Sequence, residues 1–494
     1  MHLLPHWLAV SCFLLLAHQE ALAAPDSSLP RSIPLLRRAR PQRNATEVSA
    51  WLKQQKDLLV AKYQGRGGQQ KRSSGMNLLT NLGADTSFYG SIAVGTPAVA
   101  YNVILDTGSS DLWLAASDGL STVDDGITKF DSSASSTFED LNTTFSITYG
   151  SGAARGTLGQ DVVRMAGFEV NPQIFAVVTQ ESGVLTAPVS GLMGLGFQTI
   201  ASSGATPFWE ALASSNGTLD QPLMAFQLTR FLDVQNAQEL EPGGTFNLGA
   251  VNTSLFTGDI DYQDIPDGEE GFWLQEVTGV TVNGNSVTLP SGSDSYGAID
   301  TGTTLVSGPE DVVAALYAQI PNSEALTGDN EGFYQYPCST TVNVTMRFGS
   351  STISWPISNA DFLVGQGTSS DMCVGAFFSI GSSGGSAPPW IVGDTFLKNV
   401  YSVFRASPPS VGFAQLSETA TAMDGATGSV PSPTVGSVAV TLGAATAGSG
   451  VSASATDRAS TPSSTTSSSN AAMGGSEISG WLMMLCSGVL VALM

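Results

Sequence analysis

Apolar and polar positions divide the chain into a long patterned body and two ends of different character. Within the body, the short apolar run Val103-Ile104-Leu105 stops at Asp106-Thr107-Gly108-Ser109-Ser110. The run Ala298-Ile299 stops in the same way at Asp300-Thr301-Gly302-Thr303-Thr304. Each reads as a buried strand ending in a tight turn. A second repeat follows each copy: Leu192-Met193-Gly194 ends 88 residues after Asp106, and Ile391-Val392-Gly393 ends 93 residues after Asp300. Two copies of Asp-Thr-Gly-Ser/Thr, each with two hydrophobics and a glycine at nearly equal distance, predict a duplicated pair of β-rich lobes. One aspartate from each lobe would meet the other at the seam.

The ends lack this pattern. Residues 7–17, WLAVSCFLLLA, precede the small-x-small triplet Ala21-Leu22-Ala23, which predicts a secretory signal peptide over 1–23. Residues 417–477 contain no Phe, Tyr or Trp and are rich in Ser, Thr, Ala and Gly. Such a composition buries too little apolar surface to offset its ordering entropy, so a stalk is expected there. The apolar residues 478–494 then close the sequence. With small residues around Asn470 and a short polar spacer, they fit a GPI-anchor transfer signal, with Ser469 and Gly474 as other attachment points. A tail-anchored membrane span is the competing reading. It would favour about 20 apolar residues with flanking Lys or Arg.

Charge separates a further segment. The 494 residues carry a net −23, but residues 25–72 hold 11 Lys/Arg against 3 Asp/Glu, while residues 73–494 hold 8 against 38. The boundary falls at Lys71-Arg72, so 24–72 reads as a basic propeptide cut after that pair. The acidic body speaks against nucleic acid as a partner, because phosphate binding needs a basic face. The sequons at Asn44, Asn142, Asn216, Asn252 and Asn343 agree with a glycosylated, secreted chain.

Rare residues narrow the chemistry. His2, His6 and His18 all lie within the expected signal peptide, so the mature chain would have no imidazole for a Ser-His-Asp, Cys-His or HExxH site. Setting aside Cys12 and Cys486 in the terminal apolar runs, Cys338 and Cys373 remain, suited to one disulfide rather than a zinc cluster. Carboxylates, hydroxyls or a borrowed cofactor are left to act, and the reading reached below expects no metal and no cofactor.

The segments VILDTGSSDLW (103–113), ITYGSG (147–152), SGLMGLGF (190–197), AIDTGTTL (298–305) and WIVGDTFLKNVYSVF (390–404) resemble the pepsin-like aspartic proteases over about residues 86–416. With the basic segment, stalk and tail, the whole chain looks like a fungal, surface-anchored yapsin-like member. The resemblance implies a mostly β, bilobal fold with a substrate cleft between lobes at 73–256 and 257–416. It implies Asp106 and Asp300 as the catalytic pair, supported by hydroxyls of Ser109 and Thr303, with Thr107 and Thr301 tying the two loops together. It also implies a flap carrying Tyr149, Gly150 and Ser151, a Trp113 that bonds the flap tyrosine, and Val189 as a wall of the pocket before the scissile bond. Cys338 and Cys373 match the disulfide of the second lobe.

The segment 117–126 departs from the family in having Asp118, Asp124 and Asp125 where many members carry a small disulfide loop. Basic and bulky apolar substrate preferences therefore both stay open. The expected function is an acid-acting endopeptidase on peptide or protein substrates, monomeric, secreted and held at the outer plasma membrane or wall by its lipid anchor. The alternative is a catalytically silent surface or wall scaffold on the same fold.

Overall fold

In a computed structural model, the described residues are 74–119, 126–381 and 387–443. The predicted signal peptide, the basic segment with Asn44, Lys71 and Arg72, the acidic pair Asp124 and Asp125, and the tail with Asn470 lie outside them. The described body is predominantly β, as the sequence pattern requires.

Between Gly75 and Gly194 the described residues form eight strands. They are β1 (Gly75–Leu82), β2 (Ser87–Val94), β3 (Val99–Asp106), β4 (Leu112–Ala115), β5 (Glu139–Thr148), β6 (Ala153–Met165), β7 (Phe168–Ser182) and β8 (Gly191–Gly194). The sequence repeat has a direct structural meaning here. β3 pairs in parallel with β8, placing Leu105 opposite Met193 and Asp106 opposite Gly194. In the second half, strand Tyr296–Ile299 pairs in parallel with Trp390–Val392, placing Ala298 opposite Ile391. Each Asp-Thr-Gly strand thus lies beside the hydrophobic-hydrophobic-glycine segment found downstream of it. Every residue of β8 is buried, which explains a continuous apolar run where a half-exposed strand would alternate.

The halves also share a sheet. Strands Val400–Ala406 and Pro409–Leu416, late in the chain, join Leu223–Leu228 and Leu240–Leu248 and run on to β1. Strand Phe256–Asp264 pairs with Pro409–Leu416 in the same sheet, so no break in pairing marks the expected 256/257 boundary. The core holds Trp113, Trp209, Trp273 and Trp390, all fully buried. Cys338 and Cys373 form a disulfide across 35 residues of the second half.

One expectation is corrected. The stalk predicted from 417 does not begin there: helix Glu418–Thr421 and strand Val440–Gly443 both pack on the body. Ser417 caps that helix by accepting from Ala420 N, and Val440 enters the core at 6% exposure. Local composition was a poor guide because only a few apolar side chains are needed once a preformed sheet edge supplies the backbone partners.

Candidate active site

The ends of β3 and of Tyr296–Ile299 deliver Asp106 and Asp300 to one point. Both are buried, at 5% and 8% exposure. Gly108 and Gly302 are required by that closeness. A Cβ added at Gly108 would stand 2.5 Å from Asp300 Cγ, and one at Gly302 would collide with Asp106 Oδ1.

The surroundings repeat across the seam. Gly108 N donates to Asp106 Oδ1 at 2.8 Å, and Gly302 N donates to Asp300 Oδ1 at 2.8 Å. Ser109 Oγ donates to Asp106 Oδ2, and Thr303 Oγ1 donates to Asp300 Oδ2 at 2.6 Å. Beneath the carboxylates, Thr107 N donates to Thr301 Oγ1 at 3.1 Å and Thr301 N to Thr107 Oγ1 at 3.0 Å. Each threonine hydroxyl also reaches the other half's strand, Thr107 Oγ1 to Ile299 O at 2.8 Å and Thr301 Oγ1 to Leu105 O at 2.6 Å. Four bonds therefore lock the two turns in register, which holds two like charges close in spite of their repulsion.

Burial, and then the charge of Asp300, push the Asp106 carboxyl well above the usual range, against the opposing bonds from Ser109 and Gly108. A close carboxylate pair takes up protons as a unit, so it retains one where an isolated aspartate would be ionised. Such a pair can hold a water, take a proton from it and donate one elsewhere.

Tyr149 lies between β5 and β6, at a turn closed by its own N–H donating to Gly152 O at 2.7 Å. Gly150 and Ser151 at the tip are exposed. Trp113 Nε1 donates to Tyr149 Oη at 2.8 Å, a bond between β4 and the hairpin. Burial and the charge of Asp106 raise the Tyr149 phenol, so it stays neutral. Val189, expected as a wall of the pocket before the scissile bond, is 1% exposed and packs with Leu82 and Tyr89. Asn142, Asn216 and Asn343 are exposed and Asn252 is half-buried.

Two charged residues inside a matched motif had received no role. Lys398, 3% exposed, bonds Asp85 at 2.7 Å and Asp361 at 3.0 Å. Asp361 in turn bonds Arg230 at 2.6 Å. Asp394, also buried, is held well above the usual carboxylate range, chiefly by burial. The available signal was a charged pair at i and i+4 within the otherwise apolar WIVGDTFLKNVYSVF.

These shifts set a pH dependence of stability. Asp106 and Asp394 are raised, so their contribution is full below the unfolded value of about 4 and is lost as pH rises through their folded values. Burial alone would raise Asp361 too, but Lys398 and Arg230 outweigh it and hold it low. Its contribution is present above about pH 4 and is lost as pH falls through its folded value. The thermal midpoint should therefore be highest near pH ~4–5 and lower at pH 7. A midpoint that climbs steadily from pH 5 to 8 in calorimetry would contradict this assignment.

Two buried aspartates on matched strand–turn units, hydroxyl-supported and with Tyr149 of the β5–β6 hairpin close to Asp106, define a bilobal carboxylate hydrolase of the pepsin type. The comparisons agree. A model of the eukaryotic aspartyl protease family matches residues 87–416. Major aspartyl peptidase 1 of Cryptococcus neoformans is 43% identical, over 83% of this chain and 88% of that protein. An aspartic protease of Phaffia rhodozyma is 36% identical over 74% and 85%, and pepsin A of Bos taurus 31% over 67% and 84%. The chain belongs to the eukaryotic aspartyl protease family and is an aspartic endopeptidase.

Proposed function

We propose that Asp106 and Asp300 share one proton and activate a water between them, and that the enzyme works on peptide substrates at acidic pH. The ionised carboxylate takes a proton from the water as its oxygen attacks the scissile carbonyl, while the protonated carboxyl donates to the carbonyl oxygen. The resulting gem-diol collapses as a proton passes to the leaving nitrogen and the C–N bond breaks. The observation that carries this reading is the matched set of hydroxyl and N–H donors around both carboxylates, locked by the Thr107–Thr301 crossing.

Tyr149 closes the flap over substrate, and Trp113 steadies it. Tyr149→Phe removes one neutral bond and is expected to lower kcat/KM about two- to tenfold. Tyr149→Ala also removes the ring and should cost about a hundredfold through mispositioned substrate. Equal effects of the two variants would remove the ring from the reading.

The route to the site is part of the same proposal. The basic segment up to Lys71-Arg72 is complementary in charge to the acidic body and is removed by cleavage at that pair, and acid weakens the attraction by protonating carboxylates. The expected signal peptide, the sequons and the tail support an enzyme held at the outer plasma membrane or wall by a lipid anchor, and in this reading it acts as a monomer. Among the described residues no helix is long and apolar enough to cross a membrane.

The deciding experiment is a pH series of cleavage on a mixed peptide library, with and without a pepstatin-type inhibitor. Inhibitable cleavage at acid pH supports the two-carboxylate reaction, and the cut sites separate basic from bulky apolar preference. No cleavage by folded enzyme freed of its basic segment would favour the silent-scaffold alternative.

A further inference from the structure

The family match ends at residue 416, yet the described chain continues through Gly443. This extension is fastened at two places. At its start, Asp424 takes Arg230 N at 3.0 Å and Arg230 Nη1 at 3.4 Å on its two carboxylate oxygens, and Gly425 N donates back to Arg230 O at 2.8 Å. Arg230 is itself held by Asp361 of the second half. At its end, Val440–Gly443 forms a parallel strand on β7, with Val440 opposite Phe168 and Gly443 opposite Asn171. Ala439 N donates to Gly167 O at 2.8 Å beside it. β6 already covers the other side of this part of β7, and β4 reaches only Ala176–Val178, so the added strand fills an otherwise open edge.

Between these fastenings the chain bridges more than it packs. A cavity of about 480 Å³ lies between residues 431–438 and the strands β1 and β2. Met76, Leu78, Val435 and Val438 around it stay 39–50% exposed. One bond, Thr434 N to Ser91 Oγ at 3.0 Å, crosses to β2.

We propose that residues 417–443 are a two-point clasp, an integral part of the catalytic body that ties the Arg230–Asp361 cluster to the back of the first half. β6 runs 13 residues from the flap to the turn before β7, on the order of 40 Å if fully extended. Gly443 lies opposite Asn171, at the end of β6 remote from the flap, so the second fastening holds the part of the first half away from that hairpin.

The test uses the full-length chain with Asp424→Asn, with Val440→Asp, and a third form ending after Ala439. Hydrogen exchange is followed at 168–171 and at 418–425, together with the thermal midpoint and peptide cleavage. A clasp fastened at two points behaves cooperatively. Each substitution is expected to lower the midpoint and to raise exchange at the opposite end by about tenfold as well as at its own. Cleavage rates should stay within about twofold, since neither residue adjoins the carboxylate pair. Changes confined to the substituted end, or an unchanged midpoint in all three forms, would overturn the clasp. A cleavage rate falling in step with protection would overturn its separation from the cleft. The form ending after Ala439 keeps the question open to refutation if Val440→Asp fails to fold.

Discussion

Asp106→Asn and Asp300→Asn should each lower kcat by about 10³-fold or more while leaving the fold intact. General acid–base assistance is commonly worth 10²–10⁴ in rate, and either amide removes it from a pair that acts as a unit. An asparagine can neither accept the water's proton nor supply one to the carbonyl oxygen. The side chain fills the same space, and its Oδ1 can still accept from Gly108 N or Gly302 N, bonds the aspartates make at 2.8 Å. Removing a buried carboxylate beside another also relieves repulsion, so the thermal midpoint at neutral pH should be maintained or raised. Circular dichroism and a library-cleavage assay on the same samples check both halves of the expectation. Activity within tenfold of the parent in either variant would dismiss that residue as a catalytic group.

Lys398→Met is expected to destabilise the protein by about 3–5 kcal/mol without touching the carboxylate pair. The ammonium sits between Asp85 and Asp361 at 2.7 and 3.0 Å, with exposures of 3%, 2% and 0% for the three side chains. Asp361 keeps Arg230 when the lysine is lost, but the ammonium that pairs with Asp85 is gone, and a buried carboxylate without a cation is costly. Adding Asp85→Asn to Lys398→Met should recover part of the loss, because it removes the stranded charge. Denaturant unfolding of the two variants measures this coupling. A double variant less stable than Lys398→Met by the full cost of a second independent substitution would show that the ion pair is not the source of the effect.

Much of the fold and most of the site were legible in the sequence, for a local reason. A buried parallel strand and the tight turn that ends it write a contiguous signature, and duplication wrote it twice. Asp106, Thr107, Gly108 and Ser109 carry in four adjacent positions the carboxylate, the cross-seam hydroxyl, the close-approach glycine and the supporting donor. The confinement of all three histidines to the first 18 residues then set histidine chemistry aside, given the expected signal peptide. Tyr149 and Trp113 were legible only through resemblance, since nothing in their spacing tells that β4 and the hairpin adjoin.

What the tertiary structure alone decided depends on partners distant in the chain. Lys398 and Asp85 are 313 residues apart, and Arg230 and Asp424 are 194 apart. No local pattern reports such pairs, because a charge is stabilised by whatever the fold brings beside it. The neighbours of Val189, Leu82 of β1 and Tyr89 of β2, lie about a hundred residues before it in the chain. The segment after 416 reads as an unfolding composition when taken by itself. Residues 417–443 fold because β7 offers a row of backbone donors and acceptors and the core takes up the Val440 side chain. The sequence by itself determined the two carboxylates and the turns that carry them, whereas the connecting sheet, the buried ion cluster and the clasp arise from long-range pairing.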